Sequence, residues 1–203
     1  MRAIDWQQFL QTQRDKYRKV LFTPTELANA AGAAPRSLSV TLGRLVARGV
    51  VRRYAAGRYG LPGAVTAADL VPGLDPSAYI TGFYALYRHQ LVTQAPVEIT
   101  CFTNRRHNLS RVRTTSLGRI VFVCVAAPVY KHPEEGIVAP AEQALCDGVY
   151  ACRKRGVALA DIVTFRNLDR LDLGRIEDHL ARYPESIRRE VDRLLKKRAS
   201  GQK

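Results

Sequence analysis

Apolar residues recur at helical spacing near the start of the chain, where Ile4, Trp6, Phe9, Leu10, Tyr17, Val20 and Leu21 predict a first amphipathic helix. The segment FTPTEL then marks the start of a second. Thr23 stands at the N-cap, Pro24 at the first helical position and Glu26 three residues after the cap, a capping box, with Phe22 and Leu27 placed as a hydrophobic staple. Leu27, Ala28 and Ala31 face inward and Gly32 supplies the turn. Pro35 opens a third helix that runs to about Arg48, with Gly49 as its stop. Leu38, Leu42, Leu45 and Val46 form the buried stripe of this third helix. Its outward face carries Arg36, Val40, Gly43, Arg44 and Ala47, with Ser37 at the edge and no acid. VVRRYAAGRYGL, residues 50–61, holds two short apolar and aromatic runs around Ala55-Ala56-Gly57, which predicts a β-hairpin carrying Arg52, Arg53 and Arg58.

Prolines and glycines crowd LPGAVTAADLVPGLDPS, residues 61–77. Proline fixes its own φ and pushes its predecessor out of the α region, so the stretch cannot be one continuous helix and reads as a connection between two domains, 1–63 and 64–203. Beyond it, residues 77–91 read as a helix with Ile80, Phe83, Tyr84 and Tyr87 inward, and the β-branched run 97–103 as a strand. RVRTT (111–115) and IVFVCVA (120–126) flank Ser116-Leu117-Gly118 and predict an antiparallel hairpin. Pro140 opens a helix within 136–156 whose stripe is Ala144, Leu145, Val149 and Cys152. Two more helices follow, roughly 174–182 and 185–198, the last with Ile187, Val191, Leu194 and Leu195 buried. The expected fold class is α+β, a winged helix-turn-helix followed by a small mixed α/β domain.

Composition adds charge to this picture. The chain has 32 Lys and Arg against 18 Asp and Glu, a formal net charge of +14. Residues 1–63 hold eleven of these bases and three of the acids, so charge density is highest in the first third. A polyanion is the expected partner. Slim side chains flanked by arginines suit a helix entering the major groove of DNA, and a basic hairpin suits the phosphate backbone. The DNA-binding residues expected on this basis are Arg36, Ser37, Val40, Arg44, Arg52, Arg53 and Arg58. No stretch free of charged side chains exceeds the twelve residues Pro76 to Tyr87, too few to span a bilayer. The first twenty residues lack a continuous apolar core, so no secretion signal is expected. Cys101, Cys124, Cys146 and Cys152 form no CxxC pair and read as reduced thiols of a cytoplasmic protein.

The order of elements, with AYITGFYALYRHQLVTQAPVEITCFT and GIVAPAEQALCDGVY in the second domain, resembles the AbiEi-type antitoxin family of abortive-infection toxin–antitoxin systems. The matching positions are Tyr79, Ile80, Ala85, Leu86 and Pro96, then Val138, Ala139, Pro140, Glu142, Ala144, Leu145 and Asp147. The likeness spans about residues 20–155. Departures are Gln143 in place of a basic residue, Cys146 in place of leucine, and Arg88-His89-Gln90-Leu91 where the family ends in His-Gly-Leu. The resemblance implies a repressor that binds double-stranded DNA at repeated sites in its own promoter and counteracts a nucleotidyltransferase-type toxin encoded nearby.

No catalytic, metal or cofactor site is expected. His89, His107, His132 and His179 show no metal-ligand spacing with each other or with the cysteines. Cys101 and His107 lie six apart, but a buried thiol is the simpler reading. Asp147 stands without a second acid or a nucleophile motif and reads as a buried or capping carboxylate. Asp169, Asp172, Glu177 and Asp178, interleaved with Arg166, Arg170 and Arg175, read as solvated salt-bridging faces. Two basic clusters stand out in the second domain: Arg105, Arg106, Arg111 and Arg113, and the polar side of the last helix from Arg188 to Arg198. Each reads either as a solubilising surface, with a frayed tail at the last helix, or as extra phosphate contacts or a face for an acidic toxin. Two alternative functions stay open at this point: a stand-alone winged-helix regulator whose second domain senses a ligand, and a nucleic-acid-processing enzyme tethered to DNA.

Overall fold

The computed structural model describes residues 3–33, 35–106 and 110–200, without the side chains of 35–37 and 197–200. The chain is α+β and divides into two compact units, Met1–Pro76 with Thr114–Gly118, and Ser77–Arg113 with Arg119–Lys203.

The first unit begins with three helices, α1 (Ala3–Tyr17), α2 (Pro24–Ala31) and α3 (Pro35–Ala47). A hairpin of β1 (Arg52–Ala55) and β2 (Arg58–Gly60) follows, then α4 (Ala67–Leu74). The core gathers Trp6, Leu10, Phe22, Leu27, Leu38, Leu42, Leu45 and Val51. Helix α1 packs through Trp6 and Leu10, one turn apart. Ile4 and Tyr17, which belong to its apolar spacing, are exposed, and the helix stops before Val20 and Leu21 at Arg18, whose φ is +56°. The apolar pattern thus overstated the width and length of the buried stripe.

Part of the stretch read as a connection is helical. Thr66 caps α4 by accepting the Asp69 N–H at 3.3 Å, and the Asp69 carboxylate accepts the Thr66 N–H at 2.8 Å, a second capping box. Leu70 and Val71 on this helix are fully buried. Pro72 falls in its last turn, where the helix is about to end, so the proline rule excludes a helix through all of 61–77 and still permits this one. The first unit accordingly extends past residue 63 to Pro76.

The second unit contains the remaining helices and most of a four-stranded sheet, of which Thr114–Gly118 falls in the first unit. Its strands are β3 (Tyr79–Ile80), β4 (Glu98–Thr103), β5 (Val112–Thr115) and β6 (Gly118–Cys124), in the order β3-β4-β6-β5. The helix expected over 77–91 is replaced by β3 followed by α5 (Gly82–Arg88). Tyr79 and Ile80 pair with Phe102 and Cys101, and Ile80 also exchanges hydrogen bonds with Ile137 and Ala139, both 2.8 Å. These partners are distant in sequence, which is why local periodicity missed the strand. Gly82, at φ +58°, then turns the chain into α5, whose buried residues include Ala85 and Leu86, while Tyr87 points outward. Strand β6 neighbours β5, as the hairpin reading expects, and on its other edge runs parallel to β4, from Glu98 opposite Arg119 to Thr103 opposite Cys124.

Helix α6 (Ala141–Arg153) is the centre of this unit. Every residue from Glu142 to Ala151 is buried, so the expected single apolar stripe is in fact a helix enclosed all round. Gly148 permits the approach of α5, since a Cβ there would lie 3.4 Å from the Gly82 Cα. Around α6 stand α7 (Leu159–Ile162), a 3-10 turn (Leu168–Arg170), α8 (Leu173–Leu180) and α9 (Glu185–Ser200), with Ile187, Val191 and Leu194 buried on the last. No helix among the described residues is long and apolar enough to cross a membrane.

Candidate nucleic-acid interface

The site is built on the short turn between α2 and α3. The capping box fixes the start of α2: Thr23 Oγ1 accepts the Glu26 N–H at 3.2 Å, and the Glu26 carboxylate accepts the Thr23 N–H at 2.8 Å. At the other end Gly32, at φ +60°, donates its N–H to the Asn29 carbonyl. That left-handed residue ends α2, in a conformation that glycine adopts without penalty. Leu38, Leu42 and Leu45 then seat α3 in the core.

Seating those three leucines turns the opposite face of α3 to solvent. Val40 is 57% exposed, and a Cβ added at Gly43 would meet nothing within 4 Å. Arg44 is exposed and makes no side-chain hydrogen bond or ion pair among the described residues. Val46, assigned above to the buried stripe, is instead 38% exposed, because Leu45 already fills the contact at that turn. Arg36 and Ser37 lie in the first turn of α3, and their side chains are outside the described ones.

The hairpin is tied to the helices by pairing with Phe22, just before α2. Phe22 donates to the Tyr59 carbonyl at 2.8 Å, and Tyr59 donates back to Phe22 at 2.9 Å. Tyr54 is buried and donates its hydroxyl to the Leu61 carbonyl at 2.7 Å. At Gly60 the backbones touch so closely that a Cβ would lie 2.3 Å from the Val20 carbonyl oxygen. Residues 114–118, the end of β5, the start of β6 and the turn that joins them, belong to this unit: the Ser116 N–H donates to the Tyr54 carbonyl at 2.9 Å.

The three hairpin arginines have different surroundings. Arg53 is exposed, with no side-chain partner among the described residues. Arg52 lies over the Tyr54 ring and donates to the Ser116 carbonyl at 3.3 Å, so its position is held. Arg58 is committed to the fold. Its Nε donates to the Gly73 carbonyl at 2.8 Å and its Nη1 to the Gly57 carbonyl at 3.1 Å, with Nη2 also on Gly73. Sequence reasoning grouped the three because the acceptor for Arg58, fifteen residues on, sits on a helix it did not expect. Nearby acids are engaged locally: Asp15 with Arg14 at 2.7 Å and Glu26 with Lys19 at 2.6 Å. The outer face of α3 and the exposed hairpin edge therefore keep a positive field.

The second unit holds a different constellation. The Asp147 carboxylate is fully buried, accepts the Thr81 hydroxyl at 2.6 Å and also accepts the Tyr183 hydroxyl. Burial raises its pKa to about 6, against the opposing pull of those hydrogen bonds and of the Arg182 charge. The Tyr79 hydroxyl is buried without a hydrogen-bond partner among the described residues. On the same helix as Asp147, Glu142 accepts the Asp172 N–H at 3.2 Å, holding the turn before α8. The His89 Nε2–H donates to the Ala139 carbonyl at 2.8 Å. The two motifs that carry the family resemblance are thus packed against each other, and Thr81, His89, Glu142 and Asp147 make structural hydrogen bonds. Cys101 is buried, and His107 lies outside the described residues. Among the described residues no cluster of three His, Cys, Asp or Glu could hold a metal ion. No family model matches the chain, and comparison with curated proteins gives no match.

Proposed function

We propose that the chain is a DNA-binding transcriptional repressor and the antitoxin of a toxin–antitoxin pair, its first unit acting as a winged helix-turn-helix. The observation that carries the DNA-binding half is the outer face of α3. It is exposed and acid-free, slim at Val40 and Gly43, and has an uncommitted guanidinium at Arg44. Helix α3 enters the major groove with this face, where a guanidinium reads guanine edges bidentately. Arg53 and Arg52 on the hairpin meet phosphate. Arg58 holds the hairpin in place and contacts no DNA. The operator is the chain's own promoter, at repeated sites.

The antitoxin half is supported by the resemblance over about residues 20–155, and its partner is a nucleotidyltransferase-type toxin encoded beside it. No catalytic step, metal or cofactor enters the mechanism. Repression follows from occupancy of the promoter, and the protein works in the cytoplasm.

Gel-shift titration of the promoter over a range of salt concentrations tests the interface. Arg44→Ala lowers affinity by ~1–3 kcal/mol and relaxes sequence preference, as loss of a bidentate base contact does. Arg53→Ala weakens all sequences alike and lowers the salt slope by ~1. Unchanged promoter affinity in the Arg44/Arg53 double variant defeats the assignment. Co-expression with the neighbouring toxin tests the second half, and failure to restore growth removes it.

A further inference from the structure

The parallel pair β4–β6 ends in a crevice that the DNA-binding reading does not use. Pairing closes at Thr103 opposite Cys124, with the Val125 N–H on the Thr103 carbonyl at 3.0 Å. Because the strands are parallel, the chain leaves both at the same end of the sheet, and Asn104 and Arg106 after β4 and Val125 and Ala126 after β6 line a cavity of about 650 Å³. Such carboxyl-terminal edges are where parallel sheets hold ligands, and the volume is that of a small-molecule site.

The lining decides the ligand's chemistry. Arg106 and Arg111 line the cavity together with Asn104 and Cys124, beside an apolar floor that includes Phe122. No carboxylate among the described residues lines it. Both arginines are exposed, and neither has an ion pair or side-chain hydrogen bond among the described residues. Two guanidinium groups facing one crevice repel each other unless an anion lies between them. Planar forks of donors match the oxygens of a phosphoryl group, which can accept two hydrogen bonds from each. Asn104 adds an amide donor at the same mouth.

We infer that the crevice at the ends of β4 and β6 binds a phosphoryl group through Arg106 and Arg111. The group belongs to a nucleotide, whose base and sugar rest on the apolar floor, or to a nucleic-acid strand. This second site is independent of α3 and the hairpin.

The test uses the full chain and two probes, a fluorescent N-methylanthraniloyl-ATP and a labelled twelve-residue oligo-dT, with inorganic phosphate as competitor. The nucleotide is expected to bind saturably and to be displaced by phosphate. Arg106→Ala/Arg111→Ala is expected to weaken it by about tenfold or more, the usual consequence of losing charge-assisted contacts. Both residues are exposed, so the variant keeps its fold, which circular dichroism checks. Arg106→Lys/Arg111→Lys keeps the charge without the fork and is expected to bind at an intermediate level. Bound nucleotide is also expected to slow alkylation of Cys124 while leaving Cys152, the other half-buried thiol, unchanged. Oligo-dT binding with the same arginine dependence, in the absence of nucleotide binding, upholds the site and assigns its phosphate to a strand. Absence of saturable binding for both probes overturns the proposal. So does equal loss in Arg44→Ala/Arg53→Ala, which points to bulk charge.

Discussion

Replacing Asp147 by asparagine offers a quantitative test of the second unit's core. The carboxylate is fully buried, and burial lifts its pKa from 3.8 to about 6 despite hydroxyl donors at both oxygens. A raised acid pKa means that the folded chain holds this proton more tightly than the unfolded one. Between about pH 4 and pH 6 the native state therefore binds more protons, and stability from this group falls as pH rises. A shift of about two units corresponds to ~3 kcal/mol, present below the unfolded pKa and lost as pH rises through the folded value. The amide introduced by Asp147→Asn cannot ionise, so the variant lacks this dependence. The substitution does change the hydrogen bonds to Thr81 and Tyr183, at ~1–3 kcal/mol, but that cost is independent of pH. Other titrating groups cancel in the difference between the two proteins. Urea unfolding at half-unit steps from pH 4 to 7 is the assay. The stability of the wild type minus that of Asp147→Asn should decrease by ~2 kcal/mol across the range, since part of the change lies below pH 4. A flat difference would refute the claim that the carboxylate is held against its ionisation by burial.

Three further outcomes follow from the first unit. Arg58→Ala should lower stability by ~1–3 kcal/mol, by stranding the Gly73 carbonyl, and Arg53→Ala should leave stability within ~0.5 kcal/mol; thermal melts of the pair separate the two roles. Gly60→Ala should cost ~2–4 kcal/mol because its Cβ falls on the Val20 carbonyl, whereas Gly43→Ala, in open space mid-helix, should gain ~1 kcal/mol and weaken promoter binding by thickening the α3 face. A fragment ending at Pro76 should outlast one ending at residue 63 in limited proteolysis, since the shorter one lacks Gly73, the acceptor for Arg58; equal lifetimes would show that α4 contributes nothing to the unit.

What the sequence determined by itself was local. Thr23, Pro24, Glu26 and Gly32 fix both ends of α2 through groups at most a few residues apart, so their chemistry is readable without a fold. The leucine spacing of α3 sets its inner face and, by exclusion, the face of Val40, Gly43 and Arg44. The Pro140 helix start is legible for the same reason. Only the tertiary structure decided what depends on partners far along the chain. Tyr79 and Ile80 become a strand because Cys101, Phe102, Ile137 and Ala139 supply their hydrogen bonds, and helical periodicity in 77–91 carries no trace of those partners. The parallel pairing of β4 with β6, and the crevice at its end, likewise need two strands separated by a hairpin arm. Arg52, Arg53 and Arg58 are equivalent as letters. They differ because one meets Ser116, one meets solvent and one meets Gly73, and burial of a guanidinium against a carbonyl is a property of the packed chain alone.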